Sequence, residues 1–209
     1  MTSRRLLLSM AAAAALGLSA CAGGVGGFGY YSLVRPNKVI RVGNGAMTVV
    51  TPHAWNETGR STFFDIRYVE DWTLNGPFLD GVTFVSGLPD DHRIIRQERK
   101  ADRQVPKFRA NMTAPEVAAM IETLYRVEGS AIDWRSLALT PRPFIGYPGF
   151  QYDFEHLDGD ELWRKGRAVG AVIDGRLYMI LLDAARSHYY PAALPDFEAM
   201  VASAQLRRR

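Results

Sequence analysis

Between Thr113 and Gly129 the apolar residues Val117, Met120, Ile121, Leu124 and Tyr125 fall on one helical face. Thr113 is placed to cap that helix, with Glu116 three residues on. A second stripe, Phe197, Met200, Val201 and Ala204, predicts a helix from Asp196 to Leu206. The rest of the chain follows a strand rhythm. Val39–Val42 and Met47–Val50 flank Gly43-Asn44-Gly45 and predict a hairpin, which Thr51-Pro52 stops. His53-Ala54-Trp55-Asn56 is expected as a loop or short helical turn. Thr62 to Trp72 alternates, with Phe64, Ile66 and Tyr68 against Asp65 and Arg67, until Asn75-Gly76-Pro77 breaks it. Gly81–Val85 is the next strand, Pro89-Asp90-Asp91 a turn, and Arg93–Lys107 an irregular or edge segment with few apolar anchors.

Phe150–Glu155, Trp163–Ile173 and Arg176–Asp183 are separated by turns at Asp158-Gly159 and Asp174-Gly175, so they should pair as an antiparallel meander. Strands grouped before and after a helix predict an α+β fold, an antiparallel β-sheet with helices packed on it. Nothing in the chain reads as a repeat or an internal linker. Residues 31–206 are therefore expected to form one domain, large enough for a sizeable core.

The first residues change the picture. Ser3-Arg4-Arg5 precedes a small and apolar run from Leu6 to Ala20, and Leu18-Ser19-Ala20-Cys21 closes it, which is the order of an export signal. Fifteen residues fall short of the roughly 18 to 20 that a spanning helix needs. Leu-Ser-Ala-Cys resembles the lipobox of bacterial lipoproteins; that resemblance implies a signal peptide over 1–20, lipid on Cys21 and residence on the periplasmic side of a membrane. The other reading is an ordinary cut after Ala20, leaving a free thiol. Paired arginines are compatible with the ordinary secretory route or the twin-arginine one. Residues 21–30 are glycine-rich and suit a flexible tether. Gly24, Gly26 and Gly29 match a dinucleotide-binding spacing only formally, because no strand precedes them.

Without Arg4 and Arg5 the 25 basic residues fall to 23, against 22 acidic ones. The high isoelectric point thus owes much to the leader and to the basic tail 207–209, and implies no nucleic-acid partner.

The candidate chemistry is sparse. Asp153, Glu155, Asp158, Asp160 and Glu161 form an acidic stretch, but period two points Asp153 and Glu155 to solvent, within reach of Arg164, Lys165 and Arg167 on the next strand. Cross-strand ion pairs are the expected outcome. His53, His92, His156 and His188 stand singly, so no metal site or other cofactor is expected. No serine has a G-x-S-x-G frame. A hydrolase would have to draw on Asp80, Asp90 or His92, and a ligand-binding protein on Trp55, Trp72, Trp134 and Trp163 lining a cavity.

Pro52-His53-Ala54-Trp55-Asn56, coming directly after a β-rich run, resembles the P-x-x-W-N element of the PsbP-like family, which includes extrinsic photosystem proteins and Ran-binding relatives. Arg176–Leu181, His188-Tyr189-Tyr190 and a last helix ending Val201-Ala202-Ser203-Ala204 are similar to that family's closing strand and helix. Glu70-Asp71-Trp72-Thr73, Leu79-Asp80, Phe144-x-Gly146 and Gly149-Phe150 complete a pattern similar to a group of proteobacterial lipoproteins. The resemblance implies a helix, sheet, helix sandwich that acts by docking rather than catalysis, with photosystem and Ran partners not carried over. Expected partners are therefore membrane lipid through Cys21 and an envelope protein. Trp55, Asn56, Trp72 and Asp80, inside the matching segments, are the expected ligand or partner surface.

Overall fold

The computed structural model describes residues 31–59, 67–97, 103–129 and 131–207. The expected signal peptide and tether, with Cys21, lie outside the described residues, as do Arg208, Arg209 and the 62–66 part of the expected alternating strand.

Eight strands make one antiparallel sheet in the order β1-β4-β5-β6-β10-β9-β8-β7. They are β1 (Tyr31–Val34), β4 (Trp55–Thr58), β5 (Val69–Thr73), β6 (Asp80–Leu88), β7 (Ala131–Pro141), β8 (Phe150–Asp158), β9 (Trp163–Ile173) and β10 (Arg176–Ala185). The expected hairpin is present as β2 (Ile40–Val42) and β3 (Met47–Val49), extended by β11 (Gln205–Leu206) into a small second sheet. Two helices, α1 (Ala114–Val127) and α2 (Tyr189–Ser203), lie on the sheet. This is the expected α+β class.

Period two decides what each helix covers. On β10, Leu177, Met179 and Leu181 join one buried cluster with Val117, Met120 and Ile121 of α1. Tyr178, Ile180, Leu182 and Ala184 join the other, with Phe197 and Met200 of α2 and with Val42, Met47 and Val49 of the small sheet. Both faces of the large sheet are thus dry, α1 on one side and α2 with β2-β3-β11 on the other. Glycines let the layers close: a Cβ on Gly166 would lie 2.1 Å from the Phe154 ring across the β8–β9 pair.

The α1 cap works as the sequence predicts, with Glu116 accepting from the Thr113 backbone N–H at 2.6 Å. Three expectations need correction. Trp55 and Asn56 lie in a strand, because residues 55–58 pair with β1 and Asn56 and Glu57 also pair with β5. The last helix begins at Tyr189 rather than Asp196 and ends at Ser203: Pro191 falls in the first turn, where no backbone donor is needed. Leu206 instead pairs with Met47. Among the described residues, no helix is long and apolar enough to cross a membrane.

Candidate functional site

Three of the four residues expected on a binding surface are inside the molecule. Trp55 is fully buried, and its indole N–H donates to Asp196 Oδ2 on α2 at 3.0 Å. His53 Nδ1 lies 2.7 Å from the other oxygen of the same buried carboxylate. The P-x-x-W-N element therefore clips the start of β4 to the middle of α2. Trp72 is also fully buried, stacked at a tilt on Phe84 with its N–H given to Glu70 at 2.7 Å. Glu70 in turn accepts from the Gly43 backbone N–H at 2.7 Å and holds the β2–β3 hairpin. Asp80 is a turn brace: its carboxylate accepts from Thr73 Oγ1 and from the backbone N–H groups of Leu74 and Asn75. Large aromatic bodies and a fully hydrogen-bonded carboxylate are stable inside, which removes Trp55, Trp72 and Asp80 from any surface. Asn56 alone is half-exposed.

The other candidates disperse as well. Asp80 faces its own turn, while His92 Nδ1 meets the backbone oxygen of Asp90 at 2.8 Å rather than its carboxylate. No acid–base pair forms there. Trp55 and Trp72 belong to the α2 face and Trp134 to the α1 face, while Trp163 lies under the Arg135 and Arg186 guanidiniums. The four indoles do not share a cavity.

The acidic stretch pairs across strands as expected, Asp153 with Arg167 and Asp158 with Arg164, but its environment differs from expectation. Asp153 sits directly opposite Arg167, which reaches its carboxylate at 2.6 Å. It is buried rather than solvated, because α2 covers that face and brings Glu198 to Arg167 and Arg142. Glu155 meets Arg186 of the chain beyond β10 rather than Lys165.

On the α1 face the strands assemble a polar set that separate stretches of sequence do not announce. His156 (β8) is buried, with Nδ1 2.7 Å from Asp158 and Nε2 3.0 Å from Asp183 on β10. Burial pushes the imidazole toward its neutral form, but the hydrogen bonds and charges of Asp158 and Asp183 outweigh it and raise the pKa to about 9. The ring is a buried imidazolium at neutral pH. Asp158 also receives the Arg164 guanidinium, and Trp134, Phe154 and Tyr125 wall the set in. Burial, and then Asp183, hold the Tyr125 phenol well above its ordinary range. With every member matched inside, this set locks β8, β9 and β10 together. Among the described residues, no three His, Cys, Asp or Glu side chains are arranged to hold a metal ion.

The unmatched part of the molecule is its outer edge at β7. This strand has 11 residues, against four for β1 at the other edge, and no described strand pairs with its outer side. Its register on β8 slips twice, between Ala131 and Asp133 and between Ser136 and Ala138. The two residues set out of register by those bulges are Ile132 and Leu137, which are 63% and 48% exposed. A bulge re-aims a side chain, and here both re-aimed side chains are apolar. Beyond Pro141 the chain makes a two-residue turn at Ile145-Gly146, both at positive φ, closed by Phe144 and Tyr147. That turn and the end of α2 border an open cleft of about 690 Å³, beside an exposed Tyr147.

One antiparallel sheet with a helix on each face is an α+β sandwich whose fold is similar to that of solved PsbP-like structures. The chain superposes on the cyanobacterial PsbP protein CyanoP from Synechocystis with a TM-score of 0.54 and 16% identity, over 88% of this chain and 98% of that one. It superposes on the Ran-binding protein Mog1p from Saccharomyces cerevisiae with a TM-score of 0.50 and 10% identity, over 83% and 96%. No protein-family model and no curated protein matches the chain. The resemblance to the PsbP-like family stated from the sequence thus holds at the level of the fold.

Proposed function

We propose that this chain is an envelope lipoprotein, tethered by lipid on Cys21 to the periplasmic side of a bacterial membrane, whose sandwich is a non-catalytic docking module for a membrane-associated protein. The β7 edge carries the reading. An edge strand offers a row of open backbone donors and acceptors, and proteins ordinarily blunt such edges with charge, proline or bulges, or keep them short; β7 carries two bulges and ends on Pro141, but its bulges turn apolar side chains outward instead of covering the edge. Here the edge is long and displays Ile132, Leu137 and Leu139. Such an edge fits an extended, apolar segment of a partner protein, added as a further strand with side chains seated against the bulged residues. The buried ionisable groups support the same reading, since Asp80, His156, Asp158 and Asp183 are spent on internal bonds. Mog1p, a Ran-binding protein, gives this scaffold a precedent for binding another protein; Ran itself is not carried over.

A photo-crosslinking residue at Leu137, in protein made in its own envelope, tests the edge. One reproducible adduct with a membrane-associated protein is expected, lost when Leu139 becomes Lys, and absent when the crosslinker replaces the half-exposed Thr123 on α1. Recovery of monomer alone from Leu137 overturns docking at this edge.

A further inference from the structure

At the opposite side of the sheet from β7, the chain entering β5 and the segment after β6 enclose a shallow groove of about 400 Å³. Its charged walls are Arg67, Arg93, Arg96 and Asp91, with Tyr68 and His92 between them. We propose that this groove is a binding site for a phosphate-bearing anion, formed by the guanidiniums of Arg67, Arg93 and Arg96.

Three observations support the site. First, Arg93 is held in place: its Nε donates to the Val105 backbone oxygen at 2.8 Å and one terminal nitrogen donates to Gln104 at 2.7 Å. Its other terminal nitrogen has no partner among the described residues, so one fixed pair of donors remains to be satisfied. Second, Arg67 and Arg96 are exposed and have no hydrogen-bond or ion-pair partner among the described residues. Third, the one acid among the described residues of the wall is already neutralised. Asp91 meets Lys107 at 2.6 Å and Arg109 at 2.8 Å, which hold its carboxyl below the usual range. Among the described residues, those bonds leave no free acid lining the groove against the arginine charges.

Guanidinium forks suit the tetrahedral oxygens of phosphate better than they suit point charges, because two parallel N–H groups reach two oxygens at once. The groove is too shallow to engulf a large ligand, which matches a single phosphate presented at a surface. That phosphate could be a free anion or the headgroup of an anionic lipid, and the chemistry of recognition is shared.

The full chain separates the two sources. Radiolabelled orthophosphate is measured by equilibrium dialysis, and co-sedimentation is compared between phosphatidylcholine vesicles with and without phosphatidylglycerol. Saturable uptake of orthophosphate supports the site with a free anion as ligand; a preference for phosphatidylglycerol without orthophosphate uptake supports it with a lipid headgroup. In either case R67Q/R96Q weakens binding about tenfold, the loss expected from charge-assisted hydrogen bonds. Both side chains are exposed, so the variant keeps its fold, checked by circular dichroism. The control R35Q/K38Q removes equal charge at the other end of the strands and leaves binding unchanged. Absence of both forms of binding, wild-type binding by R67Q/R96Q, or an equal loss in the control overturns the proposal.

Discussion

Trp55 and Asp196 are joined across two layers of the sandwich, indole N–H to carboxylate at 3.0 Å, with both side chains buried. His53 holds the same carboxylate from outside, with its own side chain 75% exposed. The two partners should therefore count very differently. Trp55→Phe keeps most of the apolar body but leaves a buried carboxylate oxygen unmatched, at a cost of about 1.5–3 kcal/mol. His53→Ala should cost less than about 1 kcal/mol, because water replaces a solvent-exposed partner. Urea unfolding of both variants checks the contrast; equal losses would remove the interlayer clip.

His156 makes stability depend on pH in a defined direction. Its folded pKa is raised from 6.5 to about 9, so its stabilisation is fully present below about pH 6.5 and fades as pH rises through about 9. The lost contribution is on the order of 3 kcal/mol, from roughly 1.4 kcal/mol per unit of displacement. Asp158 acts on the acid side. Burial opposes its charged form, but His156 and Arg164 outweigh burial and lower its pKa, so its contribution disappears as pH falls below the ordinary carboxylate range. Unfolding midpoints from pH 5 to 10 should decline on the alkaline side. His156→Gln should flatten that decline, costing about 3–5 kcal/mol near pH 6 and correspondingly less above pH 9, because Asp158 and Asp183 lose the cation they share.

Gly166 has no room for a methyl group, with the Phe154 ring where its Cβ would stand. Gly166→Ala should force that ring off its rotamer, away from Trp134 stacked 4.5 Å away, and cost about 1–3 kcal/mol. Loss of near-ultraviolet circular dichroism together with a lower unfolding midpoint is the expected signature.

Leu137→Lys separates docking from folding. Leu137 is exposed at a bulge and packs in neither buried cluster. Its replacement should change stability by no more than about 0.5 kcal/mol, while partner capture is lost.

What the sequence discloses depends on how local the deciding physics is. α1 and the β8–β10 meander are legible because the cap, stripe and tight turns all lie within a few residues of the elements they set. Asp153 opposite Arg167 is legible for the same reason, being two strands and one turn apart. β7 escapes notice because an edge strand with two bulges has no alternation: after Trp134 its residues are all exposed. The surface assigned to Trp55, Trp72 and Asp80 fails because a motif shows which residues matter to a fold, not which way they face. The His156 set draws on Asp158, Arg164 and Asp183, which meet only through strand pairing across β8, β9 and β10. A histidine two residues before an aspartate, in a strand of buried aromatics, is the only trace it leaves.

Attachment through one sulfur is the premise on which docking at a membrane rests. Growth of the native host with radiolabelled palmitate, comparing the natural chain with Cys21→Ser, tests it directly. Attachment predicts label on the natural chain, none on the variant, and release of the variant into the soluble fraction. An unlabelled natural chain, or a serine variant that stays in the membrane fraction as before, contradicts it.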